Sequence, residues 1–267
     1  MSETIAVETA DFITTVTLTG TTMAPTFFRE CEEVFRRIGR DPEVRAVVVR
    51  SSARAFSYGL DLAASFADLG PTLAGGGLAG QRTELLRLIR ELQGSFNAIA
   101  ACPVPVIAAV HHWCIGGGVD LITACDLRVC SRDAQFSVRE TKIAIVADLG
   151  SLQRLPLIVG KGAARELCFT GRDIDAEHAL RIGLVNQVVA DRDAAHAAAL
   201  ELARQIAANP PLTVRGVKAV LDYGEGKTVA DGLEYVAAWN SAFLASEDLG
   251  EAFAAFATKR APTFKGK

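Results

Sequence analysis

The chain is 267 residues long, half of them hydrophobic, with 28 Lys and Arg against 31 Asp and Glu and a formal net charge of −3. That length supports one large domain, or a main domain with a smaller appendage, around a sizeable core. The charge balance leaves no footprint for nucleic acid, and the longest apolar run, 98–110, is broken by Cys102, Pro103 and Pro105 and is too short to span a bilayer, so no nucleic-acid or membrane partner is expected.

Residues 5–18 alternate apolar and polar around Ala10 and Asp11, which predicts two strands joined as a hairpin. Phe27, Cys31, Val34, Phe35 and Ile38 recur at helical spacing, and Asp41-Pro42 closes that helix before an apolar strand at 46–49. A loop follows at 56–61, and the glycines of 70–80 predict an irregular, mobile stretch. Helical spacing resumes over 84–99, and Pro103 and Pro105 end it before a buried strand at 106–110. A short helix (119–125), two short strands (127–130 and 135–138) and a helix (151–159) complete an α/β alternation. Beyond Asp191 the composition turns to Ala-rich helical periods at 194–208, 212–223, 229–245 and 249–258.

The six cysteines, Cys31, Cys102, Cys114, Cys125, Cys130 and Cys168, make no Cys-x-x-Cys pair, and no charged-then-apolar leader opens the sequence, so reduced thiols and a cytoplasmic location are expected. His111, His112 and Trp113 are read as packing or pocket wall, because no second cluster supplies metal ligands. No metal is expected.

The chemistry concentrates between Gly116 and Asp148. Three glycines, Gly116, Gly117 and Gly118, run into a helix whose first N–H groups lack intrahelical partners and suit a negative ligand atom. Asp120 falls in the first turn of that helix, and Glu140 and Asp148 follow on the next segments. Two acids and an oxyanion stabiliser suit proton transfer beside a carbonyl. Each acid also has a plain reading: Asp148 as a helix N-cap, Asp120 as a complement to the helix dipole, Glu140 as a solvated turn residue.

Eight short motifs in order carry a resemblance. They are Phe56-Ser57-x-Gly59-x-Asp61, Val106-Ile107-Ala108-Ala109-Val110, Gly116-Gly117-Gly118-Val119-Asp120-Leu121, Cys125-Asp126-Leu127-Arg128, Leu152-Gln153-Arg154-Leu155-Pro156, Thr170-Gly171-Arg172, Ile182-Gly183-Leu184-Val185-Asn186, and a tail with Ser246-Glu247-Asp248 and Lys259-Arg260-Ala261-Pro262. Over nearly its whole length the chain resembles the crotonase superfamily of enoyl-CoA hydratases and isomerases. The resemblance implies an α/β spiral of strand-strand-helix units (1–190) carrying a CoA-ester site, with a helical C-terminal region (191–267) for assembly into a homotrimer or a homohexamer. It implies an oxyanion hole from the N–H groups of Leu60 and Gly117, with Ser57, Tyr58, Gly59, Leu60, Asp61, Gly116 and Gly117 against the acyl-CoA. It brings basic side chains, here Lys259, Arg260, Lys265 and Lys267, toward CoA phosphates, and it calls for no cofactor, CoA being part of the substrate.

Enoyl-CoA hydratases resemble Glu at both 120 and 140, with no acid at 148. Asp120, Glu140 and Asp148 together are similar to the Δ3,5-Δ2,4-dienoyl-CoA isomerases. By that resemblance Glu140 is the base at C2, Asp148 the acid at C6, and Asp120 a supporting acid. Two alternatives stand beside this reading: hydration of a 2-enoyl-CoA, and a non-catalytic acyl-CoA-binding protein suggested by the bulky Tyr58, His112 and Trp113.

Overall fold

A computed structural model describes residues 4–65, 67, 70 and 78–267. The opening hairpin pairs β1 (Ile5–Ala10) with β2 (Ile13–Leu18), and Asp11 and Phe12 turn between them at φ of 49° and 65°. Two consecutive positive φ values belong to the tight turn whose twist matches that of paired strands. Helix α1 (Pro25–Ile38) begins on a proline at its first turn and buries Phe27, Phe28, Cys31, Val34, Phe35 and Ile38, the face expected from spacing.

The main sheet runs β1-β2-β3-β4-β6-β9, with β3 at Ala46–Ser51, β4 at Val106–Val110, β6 at Leu127–Ser131 and β9 at Gln187–Val189. From β2 onward neighbours are parallel. A parallel sheet is buried on both faces, which is why β4 is apolar at every position instead of alternating. On one face Val47, Val49, Val106, Ala108 and Val110 pack with α1 and with Phe96 and Ile99 of α2 (Ala79–Ala100). On the other, Ala46, Val48, Ile107, Ala109 and Val129 meet Ala195, Ala199, Ala203 and Ala207 of α6 (Arg192–Ala207). Alanines four residues apart form a smooth stripe that lets this helix lie close to the sheet. Although α6 follows the change of composition at Asp191, it closes the second face of the body.

A small second sheet, β5-β7-β8, crosses the rim, built from Trp113–Ile115, Gln135–Ser137 and Ile174–Asp175. Of these β5 and β8, together with β9, are too short to register in a periodicity. The same holds for α5 (Ala176–Arg181). Helix α3 spans Gly117–Thr123, and α4 spans Ser151–Thr170 with a break at Gly160, φ 77°. That break explains why the helical pattern from 151 ends at 159: the chain turns and restarts. The expected irregular stretch at 70–80 lies outside the described residues over 71–77, while Ala79 and Gly80 already belong to α2, so the helix starts ahead of the expected residue 84.

Three further helices, α7 (Pro211–Gly224), α8 (Val229–Phe243) and α9 (Glu247–Thr258), follow the body. Lys218 of α7 is buried and its Nζ lies 2.7 Å from Asp126 Oδ2, which also accepts the Val106 N–H at the head of β4. Beyond Lys218, α7 buries only Pro211 and Gly216 and α9 only Asp248 and Ala255, α8 buries none of its residues, and Phe253 and Phe256 are 68% and 86% exposed. Phe253 and Phe256 therefore lie outside the core.

Candidate active site

Strand β4 delivers the chain through His111 and His112 to β5 and then to the glycines. Gly116 has φ 53°, and a Cβ there would meet Glu140 Oε1 at 3.0 Å, so the Glu140 carboxyl sits directly over the turn. The Gly116 N–H donates to the Ser137 carbonyl at 2.9 Å, which fixes the turn to β7. Gly117 opens α3, and its N–H is one of the four at a helix start without an intrahelical acceptor.

The second strand of the site arrives from residues 56–61. Met23 and Leu60 form a parallel bridge in which the Met23 N–H donates to Gly59 and the Asp61 N–H donates to Met23. In that pattern the Leu60 N–H points to the side away from Met23. Gly59, at φ 84°, brings the two segments together: a Cβ on it would lie 2.9 Å from the Ile115 carbonyl oxygen and 3.3 Å from the Gly117 nitrogen. Leu60 and Gly117 are thus neighbours.

The other residues expected against the ligand have structural work. Ser57 is buried and its Oγ accepts the Gly59 N–H at 3.0 Å, shaping the turn. Asp61 Oδ1 accepts the Ala64 N–H, a local cap. Tyr58 is half-buried with the Arg54 guanidinium over its ring, 5.5 Å from the centroid. Trp113 lies under Arg139, whose guanidinium also pairs with Asp173 at 2.5 Å, so Arg139 is turned away from its neighbour Glu140. Among the described residues no group of three His, Cys, Asp or Glu side chains is disposed to hold a metal ion.

The three carboxyls divide by environment. Asp120 is 1% exposed and its Oδ1 accepts the Ser151 N–H at 2.6 Å. Ser151 is the first residue of α4, whose N-cap position, Gly150, has no side chain to offer. Asp120 therefore caps a helix other than its own, and the N-cap reading of Asp148 fails. Asp148 stays half-buried, anchored through its backbone: its carbonyl accepts Gln93 Nε2 at 2.7 Å. Glu140, at the start of a 3-10 turn (Glu140–Ile143), has its Oε2 buried without a partner.

Burial raises the pKa of all three. Glu140 is pushed up to about 7, first by burial and then by the charges of Asp120 and Asp148. Asp120 rises to about 6 for the same first reason, against the pull of the Ser151 N–H and the Arg154 charge. Burial also raises Asp148. Mutual repulsion in a water-poor wall makes proton sharing among them the natural chemistry. Sequence reasoning did not single out Gln93, His111 and Arg154 as supports. They belong to a helix remote in sequence, to a presumed packing residue and to a motif with no stated role.

A family profile described as enoyl-CoA hydratase/isomerase matches residues 10–267. The chain belongs to that family. It is 44% identical over 242 residues to the mitochondrial Delta(3,5)-Delta(2,4)-dienoyl-CoA isomerase of Dictyostelium discoideum, covering 90% of this chain and 81% of the relative. With the peroxisomal protein of that name from Arabidopsis thaliana the identity is 43%, covering 89% and 86%. The mitochondrial human protein is 44% identical, covering 85% of this chain and 69% of the relative. Among solved structures, a putative enoyl-CoA hydratase from Streptomyces coelicolor superposes with a TM-score of 0.91 at 30% identity, covering 100% of this chain and 96% of that one. The enoyl-CoA hydratase of Bacillus anthracis gives 0.89 at 28%, covering 99% and 100%. The crotonase-type fold expected from the motifs is therefore the fold observed.

Proposed function

We propose that this enzyme isomerises 3,5-dienoyl-CoA to 2,4-dienoyl-CoA, with acyl-CoA thioester binding as the coarser property of its family. The observation that carries this reading is the division of labour among the acids. Asp120 caps α4 through Oδ1, which leaves Glu140, over the glycine turn, and Asp148, on the segment leading into α4, as the two carboxyls assigned to proton exchange. The name shared by relatives at 43–44% identity supports it.

In this mechanism the thioester oxygen accepts from the Leu60 and Gly117 N–H groups. Such donors stabilise the developing enolate, each worth roughly 3 kcal/mol. Glu140, ionised, takes a proton from C2, and the charge spreads along the dienolate to C6. Asp148, protonated, gives its proton to C6, leaving double bonds at C2 and C4. C2 and C6 lie four bonds apart, beyond the reach of one fixed carboxyl. Packing an apolar acyl chain against the half-buried Asp148 removes water from it and favours its protonated form. Ile143, Ile145 and Val146 present apolar surface along the connection between the two acids. No cofactor enters beyond the CoA of the substrate, and the exposed apolar faces of α7 to α9 serve assembly as a trimer or hexamer.

The test is spectroscopic. Purified protein mixed with a 3,5-dienoyl-CoA is expected to develop the absorbance of the conjugated 2,4-dienoyl thioester. No isomerisation alongside brisk hydration of crotonyl-CoA overturns the reading in favour of a hydratase. Tight binding without turnover would mark a non-catalytic protein. Among the described residues no helix is long and apolar enough to cross a membrane. The expected cytoplasmic location has no counterpart in the names of these relatives, which place them in mitochondria or peroxisomes.

A further inference from the structure

The two donors of the proposed oxyanion hole sit on segments far apart in sequence, and one buried side chain ties those segments at their roots. His111, 3% exposed, follows the last residue of β4. Its carbonyl accepts the Phe56 N–H at 3.0 Å, and its ring Nε2 lies 3.0 Å from the Ala53 carbonyl oxygen. A carbonyl only accepts, so Nε2 carries the proton and donates, and Nδ1 is the bare ring nitrogen. Nδ1 is buried without a partner.

Past this double grip the two segments run side by side. The Ser57 N–H donates to Trp113 at 2.9 Å and the Ile115 N–H to Ser57 at 2.9 Å, and the pair ends at Leu60 on one strand and Gly117 on the other. The backbone bonds from Ser57 onward hold the spacing of the pair, and Thr21, Met23 and Ser137 tie its far end to neighbouring segments. The side-chain bond to Ala53 adds a point on the far side of Phe56, with the lever arm that sets register. A shift well below 1 Å matters, because oxyanion donors act only within hydrogen-bond distance of the developing charge.

The back of the ring is equally defined. His196 of α6 meets it edge-to-face with centroids 5.9 Å apart, and His196 Nε2 is also buried without a partner. The charged groups facing the two rings are Arg50, Arg192, Asp133, Asp193 and the neighbouring His112. Burial, with Arg192 and His112, holds His111 below the usual imidazole range, which keeps Nδ1 bare and the donor at Nε2.

We propose that His111 is a positioning residue of the oxyanion hole, holding the Leu60 and Gly117 N–H groups in register through its Nε2–H bond to the Ala53 carbonyl and its backbone bond to Phe56. The inference rests on the oxyanion reading above. The experiment uses the full-length protein with a 2,4-dienoyl-CoA, whose absorbance shifts to longer wavelength when its carbonyl is polarised by bound donors, together with kcat and KM for the 3,5-diene. Wild type is expected to produce the shift. His111→Phe, which fills the space without a donor, should lose most of the shift and about tenfold or more in kcat with KM changed less than about threefold. His111→Gln, whose amide N–H can take the place of Nε2–H, should restore both. Should His111→Phe not fold, His111→Asn, too short to reach Ala53, is read in its place. A folded Phe or Asn variant with full shift and full kcat overturns the proposal while leaving the oxyanion reading intact. Wild type with neither shift nor isomerisation overturns the oxyanion reading and this inference with it.

Discussion

At the scale of single residues, a carboxyl buried beside two others is a source of instability tolerated for function. Glu140 ionises near pH 7 in the folded protein, against about 4.5 when solvated. The folded state therefore binds its proton more tightly than the unfolded state, so this stabilising contribution is full below about pH 4.5 and lost as pH rises through about 7. Glu140→Gln, which keeps the shape and removes the charge, should raise stability at pH 8 by on the order of 2 kcal/mol and change little at pH 4. Denaturant titrations at both values check this, and the variant should be nearly inactive. The same ionisation predicts that kcat/KM for the 3,5-diene rises with pH through about 7 as the base is freed. Asp148→Asn should lower isomerisation by roughly 10²- to 10⁴-fold, the usual worth of a positioned acid. A hydratase would tolerate the change better, so parallel assays on 3,5-dienoyl-CoA and crotonyl-CoA separate the two reactions.

At the scale of elements, α4 is held in place by a residue of α3. The Asp120 bond to the Ser151 N–H does what a side chain at Gly150 would do for an ordinary helix, and it links the glycine turn to the segment that carries Asp148. Asp120→Ala should cost the cap, about 1 kcal/mol, and lower both the thermal midpoint and kcat. Asp148→Asn, by contrast, should lower kcat and leave the midpoint within a degree or two, because Asp148 is anchored through its backbone carbonyl. Calorimetry on the two variants tests the assignment of roles. Local spacing offered the opposite as the plain reading beside the catalytic one: an Asp shortly before a helix reads as its cap, and an Asp inside a helix reads as facing its own dipole. Which acid caps α4 depends on where α3 lies relative to α4, and no local spacing encodes that. The hairpin, α1, β3 and β4 were legible because a periodicity of two or 3.6, or an unbroken apolar run, reports directly on which faces are buried. Strands such as Trp113–Ile115 carry no period to read.

At the scale of the whole molecule, the body and the C-terminal helices behave differently. The histidine pair at the seam of β4 and α6 is an acid-sensitive joint. Burial lowers His196 from about 6.5 to about 4, so the unfolded state binds the extra proton first. Its contribution to stability is full above pH 6.5 and declines as pH falls toward 4, and His196→Phe should flatten that limb of a stability-against-pH curve. The exposed aromatic residues of α9 predict the second behaviour. If the proposed assembly through these helices holds, Phe256→Glu should shift the protein to a smaller species in light scattering without changing the circular dichroism of the body.

Composition, periodicity and ordered short motifs by themselves determined the fold class, the placement of the glycine turn after a buried strand, and the set of acids proposed for the chemistry. These are local or near-local properties, and burial writes them into the order of residues. Only the tertiary structure decided what surrounds each acid. Asp120, Glu140 and Asp148 are identical in kind, and they differ because one meets the N–H of a remote helix, one lies over a bare glycine with an unpartnered oxygen, and one is tied down only by its backbone. Those differences arise from contacts between segments dozens of residues apart, where desolvation and hydrogen bonding are set by the fold.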